Sequence, residues 1–201
     1  MKQHKVIFFD FDGVIADTLH IALEINQMSK PTLTLERYQS YFDGNINDAI
    51  HEDKVVQKID FFKEYGKRFK TLEIDEEKKS IIQKLAKEYQ LFIISSTTTD
   101  IIQSYLQKHG ILSCFTEILG NEVHASKVKK FQILFKKYSI DPKNVIFITD
   151  SSGDMKEAKE VNIKKIIGIL GGFQVEEALK KEKPSLIVKN FSQFYDFVKT
   201  N

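Results

Sequence analysis

Residues 6–14 read Val-Ile-Phe-Phe-Asp-Phe-Asp-Gly-Val, and this stretch limits the possible folds more than any other. Four apolar residues without polar alternation predict a strand buried on both faces, as in a parallel sheet covered by helices. Asp10 and Asp12 arrive where that strand should end. In an open α/β sheet, ligands bind beyond the carboxyl ends of the strands, which places both carboxylates at the mouth of a site. Gly13 lets the backbone turn sharply there. Paired carboxylates on a loop suit a hard cation such as Mg²⁺, and a positioned carboxylate can also act as nucleophile or proton donor. Taken alone, Asp-x-Asp-Gly also reads as an Asx-rich turn.

The pattern of the opening strand returns at residues 91–94, 115–119, 145–148, 166–170 and 186–188, with helical periodicity between these runs. Strands alternating with helices predict an α/β fold: a Rossmann-like parallel sheet flanked by helices, with right-handed crossovers. The first interval does not fit a simple crossover. After Asp17-Thr18, a helix cap, come Ile21, Ile25 and Met28 at helical spacing, then Pro31 as a stop. A short helix follows over 34–42 and a turn at Asp43-Gly44-Asn45. One longer helix is then predicted, with Val55, Ile59, Phe62 and Phe69 on one face. Residues 16–75 thus form a small helical cap inserted after the first strand, and residues 1–15 and 76–201 form the core.

A net charge of +2, with acids and bases interspersed, argues against nucleic acid as a partner. No apolar run has the length of a membrane span, so no membrane partner is expected. Cys114 is the only cysteine, which suits a reducing cytoplasm, and it reads as a small packed residue. The five histidines share no metal-ligand spacing. Gly171-Gly172 reads as a turn rather than a phosphate loop.

Three strands end in polar residues that one crevice could collect: Asp10 and Asp12, Ser95 and Ser96, and Asp150 with Asp154. Phosphoryl transfer needs a nucleophile, a divalent ion, hydrogen-bond donors, a cation and an acid for the leaving oxygen. Every part is available. The cation would come from the run Ser126-Lys127-Val128-Lys129-Lys130, where Lys127 is favoured and its lysine neighbours read as solvated. Ser95 could also serve as a helix cap, with Ser96 or Thr98 meeting the phosphate instead.

In their order along the chain, Asp10-Phe11-Asp12-Gly13-Val14, Ser95, Lys127 and Asp150-x-x-x-Asp154 resemble the four motifs of the haloacid dehalogenase-like phosphohydrolase superfamily. The helical insertion resembles the cap of its phosphoglycolate phosphatase and β-phosphoglucomutase branches. That resemblance implies that Asp10 is the nucleophile and Asp12 the acid and base, with its backbone carbonyl helping to bind Mg²⁺. It implies that Ser95 holds the phosphoryl oxygens, that Lys127 bridges Asp10 and the phosphate, and that Asp150 completes the metal site with Asp154 as ligand or behind it. The implied activity is Mg²⁺-dependent hydrolysis of a small phosphorylated metabolite through an aspartyl-phosphate. A phosphomutase of the same branch and a non-hydrolytic phosphoacceptor or binding protein are the alternatives. Two features depart from the pattern: Thr149 stands where the family usually has glycine, and the insertion is short. The turn at residues 41–45, with Arg37 and Lys54, is a candidate to face the leaving group, with a solvated surface as the equal alternative for each.

Overall fold

The computed structural model describes residues 6–52 and 59–200. Its centre is a six-stranded parallel sheet built from β1 (Val6–Phe9), β2 (Gln90–Ile94), β3 (Phe115–Leu119), β4 (Val145–Thr149), β5 (Lys165–Ile169) and β6 (Leu186–Val188), in the order β3-β2-β1-β4-β5-β6. The opening strand lies inside the sheet because its two neighbours satisfy its backbone from both sides. Phe9 is in register with Ile93 of β2 and with Ile148 of β4. The carboxyl ends of β1, β2 and β4 therefore lie side by side. The chain order also reverses at β1, where open α/β sheets hold their ligands.

All four residues of β1 are buried, which is why the run lacks polar alternation. Ile7 and Phe9 join one apolar layer with α5 (Glu76–Leu85), α6 (Thr99–Lys108) and α10 (Phe191–Thr200). Val6 and Phe8 join the opposite layer with α7 (Lys127–Tyr138), α8 (Ser152–Glu160) and α9 (Glu176–Lys181). Phe8 meets Phe92 edge-on at 5.1 Å and stacks on Phe131 at 5.6 Å. Truncating such a ring to alanine costs about 3–5 kcal/mol.

Between β1 and α5 the chain forms α1 (Leu19–Ser29), α2 (Leu35–Ser40), a 3₁₀ turn at Tyr41–Asp43, α3 (Ile46–Glu52) and α4 (Phe61–Phe69). Of the longer helix expected with Val55, Ile59, Phe62 and Phe69 on one face, the described part is helical only from Phe61, and α3 precedes it. Asp60 caps α4, its carboxylate accepting from the Lys63 N–H at 3.0 Å. Val55 lies outside the described residues. Thr18 precedes α1 but makes no side-chain cap, because its hydroxyl donates to Asp12. Phe69 of α4 stacks on Phe11 at 5.8 Å and meets Tyr105 at 5.4 Å, so the inserted helices share the apolar layer of the sheet. Among the described residues, no helix is long and apolar enough to cross a membrane.

Candidate active site

The loop after β1 is wound tightly around one carbonyl. Phe11 C=O accepts from the N–H groups of Ile15 and Ala16, while Gly13 N–H donates back to Ala16 C=O at 2.8 Å. Gly13 sits at φ +71°, and a Cβ there would lie 1.9 Å from Asp150 Oδ2. Only glycine meets both conditions.

Asp10 follows β1 directly and is 6% exposed. Its Oδ1 accepts from Phe11 N–H at 2.8 Å and pairs with Lys127 Nζ at 2.8 Å. Lys127 leaves the first turn of α7, 3% exposed, and also pairs with Asp154 at 2.6 Å. Burial pushes the Asp10 carboxyl well above the usual carboxylate range; Lys127 opposes this, and Asp154 and Asp150 add to it. Burial would raise Asp154 too, but Lys127 outweighs it, with hydrogen bonds from Lys127 and Thr149, and Asp154 is held low. Lys127 loses by burial and gains more from Asp10 and Asp154, so its ammonium is held charged.

Asp12 gathers hydroxyls. Tyr65 donates to Oδ1 at 2.6 Å and Thr18 at 3.1 Å, while Thr97 donates to Oδ2 at 2.8 Å and Ser95 at 3.2 Å. Ser95 is completely buried and also accepts from Thr97 N–H. Ser96 lines the cavity beside Thr97, whereas Thr98 is the residue before α6. Neither Thr97 nor Tyr65 was among the predicted site residues. Thr97 stood unremarked in a polar run, and Tyr65 is 53 positions from Asp12 on a helix that reads as ordinary.

Asp150 follows β4 and is 2% exposed. Phe173 N–H donates to its Oδ2 at 2.5 Å, and burial raises its pKa to about 7. The Gly171-Gly172 turn therefore does more than reverse the chain. A Cβ on Gly172 would stand 2.1 Å from Asp150 Oδ2, so this turn and Gly13 clasp the carboxylate from two sides. Thr149 fits its place: its hydroxyl lies 2.9 Å from Asp154 Oδ2 and 3.3 Å from Asp10 Oδ2, and it accepts from Ser151 N–H.

One expectation fails at Lys130. It is wholly buried rather than solvated, and its ammonium donates to the Ser95 backbone carbonyl. Helical spacing explains this, because Lys127 and Lys130 are three apart on one face of α7. Lys129 is exposed. Arg37 does not face the cavity; its guanidinium lies over the Tyr41 ring at 5.3 Å. Lys54 lies outside the described residues.

These side chains open on a cavity of about 300 Å³. Its floor holds Asp10, Asp12, Thr97, Lys127, Asp150 and Asp154, and its roof is built from the inserted helices. Among the described residues, no three His, Cys, Asp or Glu side chains form a metal cluster by themselves. The fit to a divalent ion rests on charge and donor type. Asp10 and Asp150 are buried and Asp154 half-buried, Lys127 pairs with Asp10 and Asp154, and the two buried carboxyls are held up in pKa. Hard oxygen donors with surplus negative charge suit Mg²⁺.

A parallel sheet that ends its central strand in two carboxylates, facing a buried lysine and a second acidic pair, defines a phosphoryl-processing α/β enzyme. The family model described as haloacid dehalogenase-like hydrolase matches residues 7–167. The chain belongs to this family, and within it is an enzyme of the phosphoric monoester hydrolase class. It is 21% identical to a phosphoglycolate phosphatase of Photobacterium profundum, with 99% of each chain covered. A solved haloacid dehalogenase-like family protein of Streptococcus pneumoniae superposes with a TM-score of 0.72 at 20% identity, covering 98% of this chain and 100% of that one. CbbY of Rhodobacter sphaeroides, solved in complex with phosphate, superposes with a TM-score of 0.77 at 14% identity, covering 96% of each.

Proposed function

We propose that this phosphatase is Mg²⁺-dependent, that it hydrolyses a small phosphorylated metabolite through an aspartyl-phosphate on Asp10, and that the inserted helices act as its cap. The observation that carries this is the Lys127 bridge, in which one buried ammonium holds Asp10 against Asp154. A carboxylate approaches a phosphate dianion only if like charges are neutralised, and Lys127 supplies one of the positive charges required.

Asp10 and Asp150, with the Asp12 backbone carbonyl, would hold the metal ion, and Asp154 would stand behind them by fixing Lys127. When bound, the ion supplies Lewis-acid neutralisation of the phosphoryl oxygens. Asp10 Oδ2, opposite the oxygen that pairs with Lys127, attacks phosphorus. Asp12 gives a proton to the leaving oxygen, then takes one from the water that hydrolyses the acyl phosphate. Ser96 and Thr97, with the buried Ser95 beneath them, line the wall that orients the phosphoryl oxygens. Two facts about relatives agree with this: the Photobacterium profundum protein is named for hydrolysis of a small phosphate ester, and CbbY binds phosphate.

The test is phosphate release from acetyl phosphate with Mg²⁺, with Mg²⁺ removed by chelation, and with Asp10→Asn. Release that needs both the metal and Asp10 is expected; full activity in Asp10→Asn would remove the nucleophile assignment.

A further inference from the structure

The cavity divides its charge unevenly. Its charged lining residues, Asp10, Asp12, Lys127, Asp150, Asp154 and Glu157, all come from the core. Among the described residues, the lining contributed by the inserted segment carries no Lys, Arg or His; its large members are Tyr38, Phe42, Ile46, Ile50, Phe61, Phe62 and Tyr65. Three polar side chains on that side are engaged within the protein. Tyr65 donates to Asp12, and the Asn26 amide donates to Ala22 C=O at 2.8 Å and to the Tyr38 hydroxyl at 3.4 Å. The Asn45 amide donates to Ala125 C=O at 3.3 Å. Phe173 closes the wall, 4.6 Å from the ring of Phe42.

Resting on the phosphatase reading above, we infer that the substrate is the phosphate monoester of an uncharged, apolar or aromatic alcohol. The phosphoryl group sits on the charged floor, so the rest of the molecule lies against the inserted helices. A carboxylate or second phosphate there meets no cation among the described residues, and burying an unpaired charge is among the largest penalties a site can impose. Lys127 is already shared between Asp10 and Asp154. An aromatic group instead gains the buried area and ring contacts this wall provides. The site thus discriminates against small acidic phosphates, including the phosphoglycolate for which the 21%-identical relative is named.

The full-length protein with Mg²⁺ is assayed on benzyl phosphate, 2-hydroxyethyl phosphate and 2-phosphoglycolate, with acetyl phosphate as a reference that asks little of the leaving-group wall. Benzyl phosphate should exceed 2-phosphoglycolate in kcat/KM by at least about 100-fold, with 2-hydroxyethyl phosphate between them. Equal or better turnover of 2-phosphoglycolate would overturn the inference while leaving the phosphatase reading intact. No metal-dependent release from acetyl phosphate would overturn that reading instead. Binding supplies a separate readout through two non-hydrolysable isosteres. The thermal midpoint should rise with 2-phenylethylphosphonate and stay unchanged with 3-phosphonopropionate, and the reverse order overturns the inference. Ile50→Lys, which places a cation on the apolar wall, should narrow the benzyl-to-phosphoglycolate ratio at least tenfold; an unchanged ratio in the folded variant counts against it. Lys54→Met should leave the ratio unchanged, and loss of phosphoglycolate turnover in it would show a cation there that refutes the proposal.

Discussion

The Tyr65 hydroxyl donates a 2.6 Å hydrogen bond to Asp12 Oδ1, tying the last inserted helix to the loop that follows β1. The phenol is buried, and its pKa is raised by burial and by the charge of Asp12, so it remains a donor at neutral pH. A neutral hydroxyl bonded to a carboxylate is worth about 1.5–3 kcal/mol. Tyr65→Phe keeps the ring contacts with Phe61 and Phe69 but removes that donor. We expect kcat/KM to fall about tenfold or more while Mg²⁺ dependence persists. An unchanged kcat/KM in steady-state assays would show that the bond does not bear on the reaction.

Asp10→Asn should separate activity from stability. Activity is lost, since an amide does not attack phosphorus, yet the fold is not weakened. Asp10 is a buried carboxylate whose pKa burial raises, and Lys127 keeps its Asp154 partner in the variant. In metal-free buffer at pH 7 the thermal midpoint should equal or exceed that of the native chain. A midpoint several degrees lower would mean that the Asp10–Lys127 pair stabilises the fold.

Lys127 and Lys129, two positions apart at the start of α7, should behave differently. Lys127→Ala strands the buried Asp10 and the half-buried Asp154, which costs on the order of 3–5 kcal/mol of stability in addition to catalysis. Lys129→Ala changes an exposed side chain and should alter unfolding by less than about 0.5 kcal/mol. Urea titration of the two variants side by side measures both; similar losses would remove the distinction.

Lys130 predicts a pH dependence. Burial, followed by repulsion from Lys127, lowers its pKa from 10.5 to about 8. Between those two values the folded chain binds fewer protons than the unfolded one, so stability rises with pH through this window. Below pH 8 both states are protonated and the full cost of burying the charge remains. Lys130→Met removes this term. The stability gained by the native chain between pH 7 and pH 9.5 should be larger than that of the variant by about 2 kcal/mol. Parallel curves from urea unfolding at the two pH values would contradict it.

Gly172→Ala should act through Asp150. The new Cβ would stand 2.1 Å from Oδ2, so the carboxylate must move. If Asp150 holds Mg²⁺, half-maximal activation should need about 10- to 100-fold more metal, with little change in the circular dichroism spectrum. An unaltered metal titration would separate Asp150 from the ion.

Sequence by itself determined the strand order of events: a doubly buried opening run, alternating strands and helices, and polar strand ends at Asp10, Ser95 and Asp150. These are local signals, written in periodicity and in the chemistry of adjacent residues, and β1, β2 and β4 carry them to one crevice. Lys127 was legible because it begins a helix beside a predicted crevice. What only the tertiary structure decided are relations between distant segments. The start of α4 at Asp60, the burial of Lys130 behind Ser95, the grip of Gly13 and Gly172 on Asp150, and the reach of Tyr65 to Asp12 depend on how helices pack. A lysine on an amphipathic helix and a tyrosine on an apolar face look the same in sequence whether they meet solvent, a carbonyl or a carboxylate. Packing fixes which, because a buried polar group keeps its place only where a partner satisfies it.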